Sequence, residues 1–397
     1  MTTARMKVAL VSPYDFAHPG GVVSHIRALD EEFTKLGHDV RVIAPAAREN
    51  WVTLGERFIP IGKPRSIPAS GSISRISISL HLAPTIKEVL AREHFDVVHL
   101  HEPFMPMLCS AVLRFSNGLN VGTFHAYSGR PGYWLGWPFS AVILRRRNRK
   151  LAGHVAVSEP AKKYASKHVS GEFTVIPNGV DLKHFNTRVN PMPGYDDGKI
   201  NILFVGRLES RKGAKYLLQA YAKLKKDHPN IRLIVVGPGV NLRKRYEWWV
   251  RFKHLKDVIF TGGVSYDELP RYYKTADIFC APAVGKESFG IVLLEAMALG
   301  KPIVASSNPG YASVVKHEEQ ALMVPPRNSA ALAAALLRLI KDKELRARMG
   351  ANGLCEVQQY DWPVIARRIL DYYEKVSDGK LHAQYSNVGQ GVIDAST

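Results

Sequence analysis

The sequence predicts an α/β protein made of two doubly wound parallel-sheet domains, and three observations carry that prediction. Short continuous apolar runs alternate with helical patterns along the chain, as expected of strands covered on both faces. This alternation starts twice, with Met-Lys-Val-Ala-Leu-Val-Ser at residues 6–12 and again with Ile-Asn-Ile-Leu-Phe-Val-Gly-Arg at 200–207. At 397 residues, 46% of them hydrophobic, the chain is also too long for one core.

In the first half, strands are expected at 6–12, 40–44, 96–101, 120–125 and 153–158. In the second they are expected at 200–207, 231–237, 258–261, 278–281 and 302–306. Helical periodicity covers 216–226, 267–275 and 330–341, and Tyr360-Asp361-Trp362-Pro363 opens a last helix running to about 376. Between 185 and 198, Pro191, Pro193 and Gly194 interrupt any periodicity, so a linker is expected there with a cleft beside it. The expected organisation is a first domain over 1–190 and a second over 198–361. A terminal helix, 362–376, returns to the first domain, and a mobile polar tail covers 377–397.

Composition narrows the classes. Cys109, Cys280 and Cys355 are too few and too scattered for a disulfide framework or a zinc site, which points to the cytoplasm. The opening residues carry no secretory signal, and no run is apolar enough to span a bilayer, so any membrane contact is expected to be peripheral. A formal net charge of +19 favours a polyanion, either nucleic acid or an anionic lipid surface. One stretch sharpens the second option. The aromatic run 132–139, with Trp134 and Trp137, is followed by Arg145, Arg146, Arg147, Arg149 and Lys150. That is the composition of an interfacial membrane segment, although a core helix with a solvated basic end reads the same way.

Ligands of doubly wound sheets bind beyond the carboxyl ends of the strands, and the chemically notable residues fall there. Glu287 and Glu295 bracket the segment Glu287-Ser288-Phe289-Gly290-Ile291-Val292-Leu293-Leu294-Glu295. A helix starting near Gly290 would offer the unpaired N–H groups of its first turn, about Phe289, Gly290, Ile291 and Val292, to a diphosphate. The two carboxylates would accept hydrogen bonds from sugar or ribose hydroxyls. An amphipathic helix with a solvated glutamate is the plainer alternative. Arg207, Arg211 and Lys212 follow the first strand of the second half, and cations there would stabilise a departing diphosphate. In the first half Gly20 and Gly21 precede a helix containing His25, where backbone amides could approach a phosphate or a plain tight turn could stand. His125 closes a strand. His99 and His101 share one strand face, but no second ligand cluster and no Asp-X-Asp pair accompanies them, so no metal site is expected.

Taken together, Gly20-Gly21, His101-Glu102-Pro103, Phe124-His125, Pro177-Asn178-Gly179-Val180-Asp181, Gly206-Arg207 with Arg211-Lys212-Gly213, and the Glu287 to Glu295 segment resemble retaining glycosyltransferases of family 4. Within that family the pattern is most similar to bacterial mannosyltransferases acting on phosphatidylinositol. The resemblance implies the GT-B fold, with two Rossmann-like domains, a nucleotide sugar held mainly by the C-terminal one and an acceptor by the N-terminal one. It implies GDP-mannose as donor, no permanently bound cofactor, an anionic membrane lipid as acceptor and a peripheral location on the inner face of the cell membrane, with no nucleic-acid partner. By the same resemblance Arg207 and Lys212 hold the diphosphate, Glu287 the mannose hydroxyls, Glu295 the ribose and Gly21 the phosphate, while Asp267 lies near the base. His125 contacts the sugar, and no carboxylate nucleophile is needed. Tyr14 and Arg130 fall on the acceptor side. Val23, Phe104 and Ala126 are apolar where the mannosyltransferase pattern is polar, so an anionic head group is implied more firmly than inositol. A soluble sugar or polysaccharide acceptor is the second expectation.

Overall fold

The computed structural model describes residues 5–18, 20–69, 72–77, 79, 81–127, 140–285, 287–378 and 381. Among these, the first half contributes β1 (Lys7–Val11), β2 (Asp39–Ala44), β3 (Phe58–Pro60), β4 (Pro64–Ala69), β5 (Ser72–Ser77), β6 (Val97–His101), β7 (Leu119–Phe124), β8 (Gly153–Ala156) and β9 (Phe173–Val175). The second contributes β10 (Ile200–Val205), β11 (Ile231–Val236), β12 (Val258–Gly262), β13 (Ile278–Ala281), β14 (Ile303–Ser306) and β15 (Ala321–Val324). β3-β2-β1-β6-β7-β8-β9 form one sheet and β12-β11-β10-β13-β14-β15 another, with every pairing parallel. β4 and β5 form an antiparallel hairpin in a stretch whose residue pattern predicts no element.

The reason for two parallel sheets is visible in the central strands. Val8, Ala9, Leu10 and Val11 of β1 are all fully buried, as are Ile202 and Leu203 of β10, because helices cover both faces. Amphipathic helices such as Gly21–Lys35, which buries Val23, Ile26, Leu29 and Phe33 at helical spacing, supply that cover.

The chain folds as two compact units, one comprising Met1–Asn178 with Trp362–Thr397 and the other Gly179–Asp361. The division falls ahead of the linker expected from sequence, so residues 179–190 go with the second unit. Val180 and Phe185 are buried in its core, and the Val180 N–H donates to the Tyr360 carbonyl at 2.9 Å. Helix Trp362–Val376 packs on the first unit, burying Trp362, Ile365, Ala366, Ile369, Leu370 and Tyr373, with the Tyr373 ring 6.0 Å from that of Phe33. Of the tail, Ser377 and Leu381 are buried, and residues 382–397 lie outside the described residues.

Candidate functional site

In the second unit, strand order reverses between β10 and β13, and the loops leaving those two strands carry the flagged residues. After β10, Gly206 and Arg207 lead into a single turn, Ser210–Lys212, and then helix Ala214–Asp227. After β13 the chain runs through Glu287 to helix Ile291–Ala298. The two loops are knitted together, since the Val284 N–H donates to the Arg211 carbonyl at 2.8 Å. Gly213 has φ of +74°, and a Cβ there would stand 1.9 Å from the Pro282 oxygen, so only glycine permits this approach.

The side chains form one charged cluster. Arg211 Nη1 donates to Glu287 Oε1 at 2.7 Å, and Lys212 Nζ reaches both carboxylate oxygens, at 2.9 and 3.1 Å. Glu209 accepts from Arg211 at 2.8 Å and pairs with Arg207 at 3.2 Å. Three cations thus meet two carboxylates, leaving one net positive charge at the strand ends. Glu287 is buried, whereas the Arg207 side chain is 51% exposed and within reach of an incoming anion.

The following helix completes this half. Gly290 precedes it with φ of +119°, no side chain caps it, and its first turn holds no acid, so the amides of Ile291 and Val292 face no competing carboxylate of their own helix. One turn on, Glu295 accepts from the Tyr273 hydroxyl at 2.6 Å. Burial pushes its carboxyl up to about 7, against the opposing pull of Tyr273 and the Lys212 charge. The Phe289 side chain is buried near Tyr360, ring centroids 6.2 Å apart, and anchors the loop. Asp267 is exposed in the loop after β12.

In the first unit the reversal lies between β1 and β6. His101 ends β6, His125 follows β7, and Gly21 opens the Gly21–Lys35 helix, which carries His25. These imidazoles pack together: His25 lies 5.2 Å from His101 and 5.1 Å from His125, and His99 stacks on His101 at 4.5 Å. His99 bonds the Tyr373 and Thr123 hydroxyls, each at 2.6 Å, and His101 Nδ1 lies 3.0 Å from His125 Nε2. The shared strand face of His99 and His101 therefore serves hydrogen bonding within the core, and no group of metal-ligating side chains occurs among the described residues.

Protonation states follow from the partners. Burial lowers all four rings, His25 to about 4 and His99 to about 3, with neighbouring imidazoles adding to the effect at His99, His101 and His125, so all are neutral at pH 7. His25 Nδ1 meets the Asn178 Oδ1 acceptor at 2.8 Å and must carry the proton. His101 Nε2 is buried with no partner, and an orphaned lone pair costs less than an orphaned N–H. His101 is therefore protonated on Nδ1 and donates to His125 Nε2, which leaves the His125 proton on Nδ1. Glu102 fixes the same turn, its Oε1 accepting the N–H groups of His125 and Ala126, both at 2.8 Å. The Tyr14 hydroxyl, buried near Glu102, is pushed well up and stays protonated.

Both halves of the chain resemble known proteins. The model for Glycosyltransferase Family 4 matches residues 19–184, and that for Glycosyl transferases group 1 matches 190–354. The chain is 35% identical over 383 residues to the phosphatidyl-myo-inositol mannosyltransferase of Mycobacterium leprae, an alignment covering 96% of this chain and 100% of that protein. The chain belongs to glycosyltransferase family 4. Its fold is GT-B. A glycosyltransferase from Rickettsia africae superposes with a TM-score of 0.76 at 19% identity, covering 94% of this chain and 98% of that one. An Anabaena protein in complex with UDP and glucose superposes with a TM-score of 0.73 at 20% identity, covering 94% of this chain and 100% of that one.

Within this glycosyltransferase, Arg207, Lys212 and Glu287 gather in one cluster with the Ile291–Ala298 helix and Glu295 beside it, and His125 joins a separate array in the first unit. Arg145, Arg146 and Arg147 lie on helix Ser140–Asn148, whose Val142 and Ile143 are 62% and 47% exposed. Arg130, Trp134 and Trp137 lie outside the described residues. Sequence reasoning missed Glu209 as the bridge between Arg207 and Arg211, and Tyr273 as the partner of Glu295. A carboxylate two residues from an arginine on either side was the available signal for Glu209; none pointed to Tyr273, which lies 22 positions from Glu295.

Proposed function

We propose that this glycosyltransferase moves mannose from GDP-mannose to an anionic membrane lipid, phosphatidylinositol or a close relative, with retention of anomeric configuration. The observation that carries the donor half is the grip of Arg211 and Lys212 on Glu287 beside an uncapped helix. In that arrangement Glu287 neutralises the cations. An arriving diphosphate competes for Lys212 and Arg207 and is met by the Ile291 and Val292 amides, which releases Glu287 oxygens to accept from sugar hydroxyls. Glu295 accepts from the ribose. Charge that builds on the leaving phosphate meets cations already in place, so they favour the transition state over the ground state.

We assign the His125 Nδ1–H to the sugar on the family resemblance alone. Glu102 spends one oxygen, Oε1, on the amides of the His125 turn; no nucleophile is assigned to it, and attack from the leaving-group face is the step we favour. The leaving phosphate then takes the acceptor's proton. Mannose and a lipid acceptor are supported by the 35% identity to mannosyltransferases named for phosphatidyl-myo-inositol, and Val142, Ile143, Arg145 and Arg146 suit an anionic membrane face. No helix among the described residues is long and apolar enough to cross a membrane, so attachment from the inner face would be peripheral.

The test is transfer from GDP-mannose, with UDP-sugars in parallel, to phosphatidylinositol vesicles and to soluble sugars. Lipid-linked mannose in the α configuration is expected. Transfer to soluble sugars alone would replace the lipid with a soluble acceptor.

A further inference from the structure

The second unit carries a surface that its sugar-nucleotide site leaves unexplained. Helix Val240–Phe252 buries Tyr246 and Val250 against the core, yet turns Trp248 and Phe252 outward at 63% and 60% exposure. These residues sit four apart, and their rings stack at 5.2 Å with 9° between planes, making one continuous apolar plate. Cations surround it: Lys244, Arg245, Arg251 and Lys253 are all exposed, and Lys253 Nζ stands 5.4 Å from the Phe252 ring centre. The helix's one acid, Glu247, is neutralised by Arg243 at 2.7 Å.

We propose that this helix is a second membrane-contact surface, selecting anionic bilayers. The inference rests on the lipid-acceptor reading above. Adjacent exposed large aromatics form an apolar patch of the kind that marks an interaction surface, and an aromatic plate ringed by lysine and arginine matches the boundary between acyl chains and anionic head groups. The rings would enter that boundary while the cations stay at head-group level. Other occupants fit less well. In a two-fold contact between copies of the chain, four cations would face their own equivalents, with the helix's single acid already paired. For nucleic acid, one face of each ring is already taken up by the other ring, which leaves less stacking surface for bases.

The experiment uses the full chain with phosphatidylcholine vesicles, with and without phosphatidylglycerol, and two double variants, Trp248→Ser with Phe252→Ser and Lys244→Glu with Arg245→Glu. Each is expected to lower binding to anionic vesicles by about tenfold or more, with little binding to neutral vesicles at any time. All four side chains are exposed, so melting temperature and calorimetric GDP affinity should match the parent chain. Parent-like vesicle binding by either variant overturns the proposal, as does a variant that keeps vesicle binding but loses self-association or nucleic-acid binding. A second measurement, mannose transfer to detergent-dispersed phosphatidylinositol, separates the two readings. If the parent chain transfers nothing there while vesicle binding still depends on Trp248, the lipid-acceptor reading fails and the surface stands. If transfer survives while vesicle binding ignores both variants, the lipid acceptor stands and the surface is ruled out.

Discussion

Replacing Glu287 with alanine tests the donor site on three independent readouts. Among the described residues, the substitution removes the only carboxylate bonded to Lys212 and one of two bonded to Arg211, which keeps Glu209 at 2.8 Å. Exposed ion pairs contribute about 0–1 kcal/mol and breaking fully buried ones costs about 3–5 kcal/mol. The Glu287 side chain is 8% exposed and those of Arg211 and Lys212 are 23% and 17%, so the loss falls between, at about 2 kcal/mol. For a unit the size of Gly179–Asp361 that lowers the melting temperature by roughly 4–8 °C, leaving the chain folded at 25 °C.

Transfer should suffer more. Losing two charge-assisted hydrogen bonds to sugar hydroxyls, at about 1.5–3 kcal/mol each, lowers kcat/KM by roughly 10² to 10⁴. GDP without its sugar should instead bind several-fold tighter, because the carboxylate that competes with the diphosphate for Lys212 is gone. Calorimetry with GDP, steady-state transfer kinetics and scanning calorimetry give the three readouts. Parent-like kcat/KM in a folded variant, or weaker GDP binding, would refute the assignment.

Other perturbations follow from the same geometry. The Glu295 carboxyl, held up near 7, accepts more strongly from ribose hydroxyls once ionised, so GDP affinity should rise from pH 6 to 8, by at most about tenfold per pH unit below that value, and Glu295→Gln should flatten the profile. Because its folded value lies above the ordinary 4.5, ionising Glu295 costs stability as pH rises through 7, and the Gln variant should melt higher than the parent at pH 8. His25 shows the opposite sign. Lowered to about 4 from 6.5, it supports the fold fully above 6.5 and withdraws that support as pH falls toward 4, removing about 2 kcal/mol by pH 5 in denaturant titrations that a His25→Phe variant should blunt. His101→Leu deletes the donor that holds His125 Nε2 and should cut kcat about tenfold while GDP affinity stays constant; an unchanged kcat would show that His125 needs no such restraint. In Gly310→Ala the new methyl would stand 2.1 Å from the Glu287 carbonyl oxygen, so the loop must shift and transfer should fall sharply, checked by kinetics on a variant shown folded by circular dichroism.

Much of this was readable from residue order because the signals are local. A buried parallel strand must be continuously apolar and its loop polar, so the expected strands match the central ones to within two residues at either end, as at 278–281 and Ile278–Ala281. The Glu287 to Glu295 segment was legible for the same reason, since a glycine before an apolar helix announces an uncapped amide turn. Of the edge strands only β12 was, and β15, at the other edge of its sheet, was missed. β3, β9 and the β4–β5 hairpin are short or rich in serine and proline, and only pairing partners outside their own few residues make them strands.

Residue order alone therefore established two Rossmann-like halves, their strand-end loops and the types of group those loops carry, since each depends on patterns spanning a few residues. Tertiary packing decided the rest. It placed Arg211 and Lys212 on Glu287 across 75 positions or more, set Tyr273 on Glu295, and moved the unit boundary to Asn178 through Val180 and Tyr360. It also closed four distant histidines into one neutral array, because desolvation and hydrogen-bond pairing depend on which atoms surround a group and not on which residues precede it.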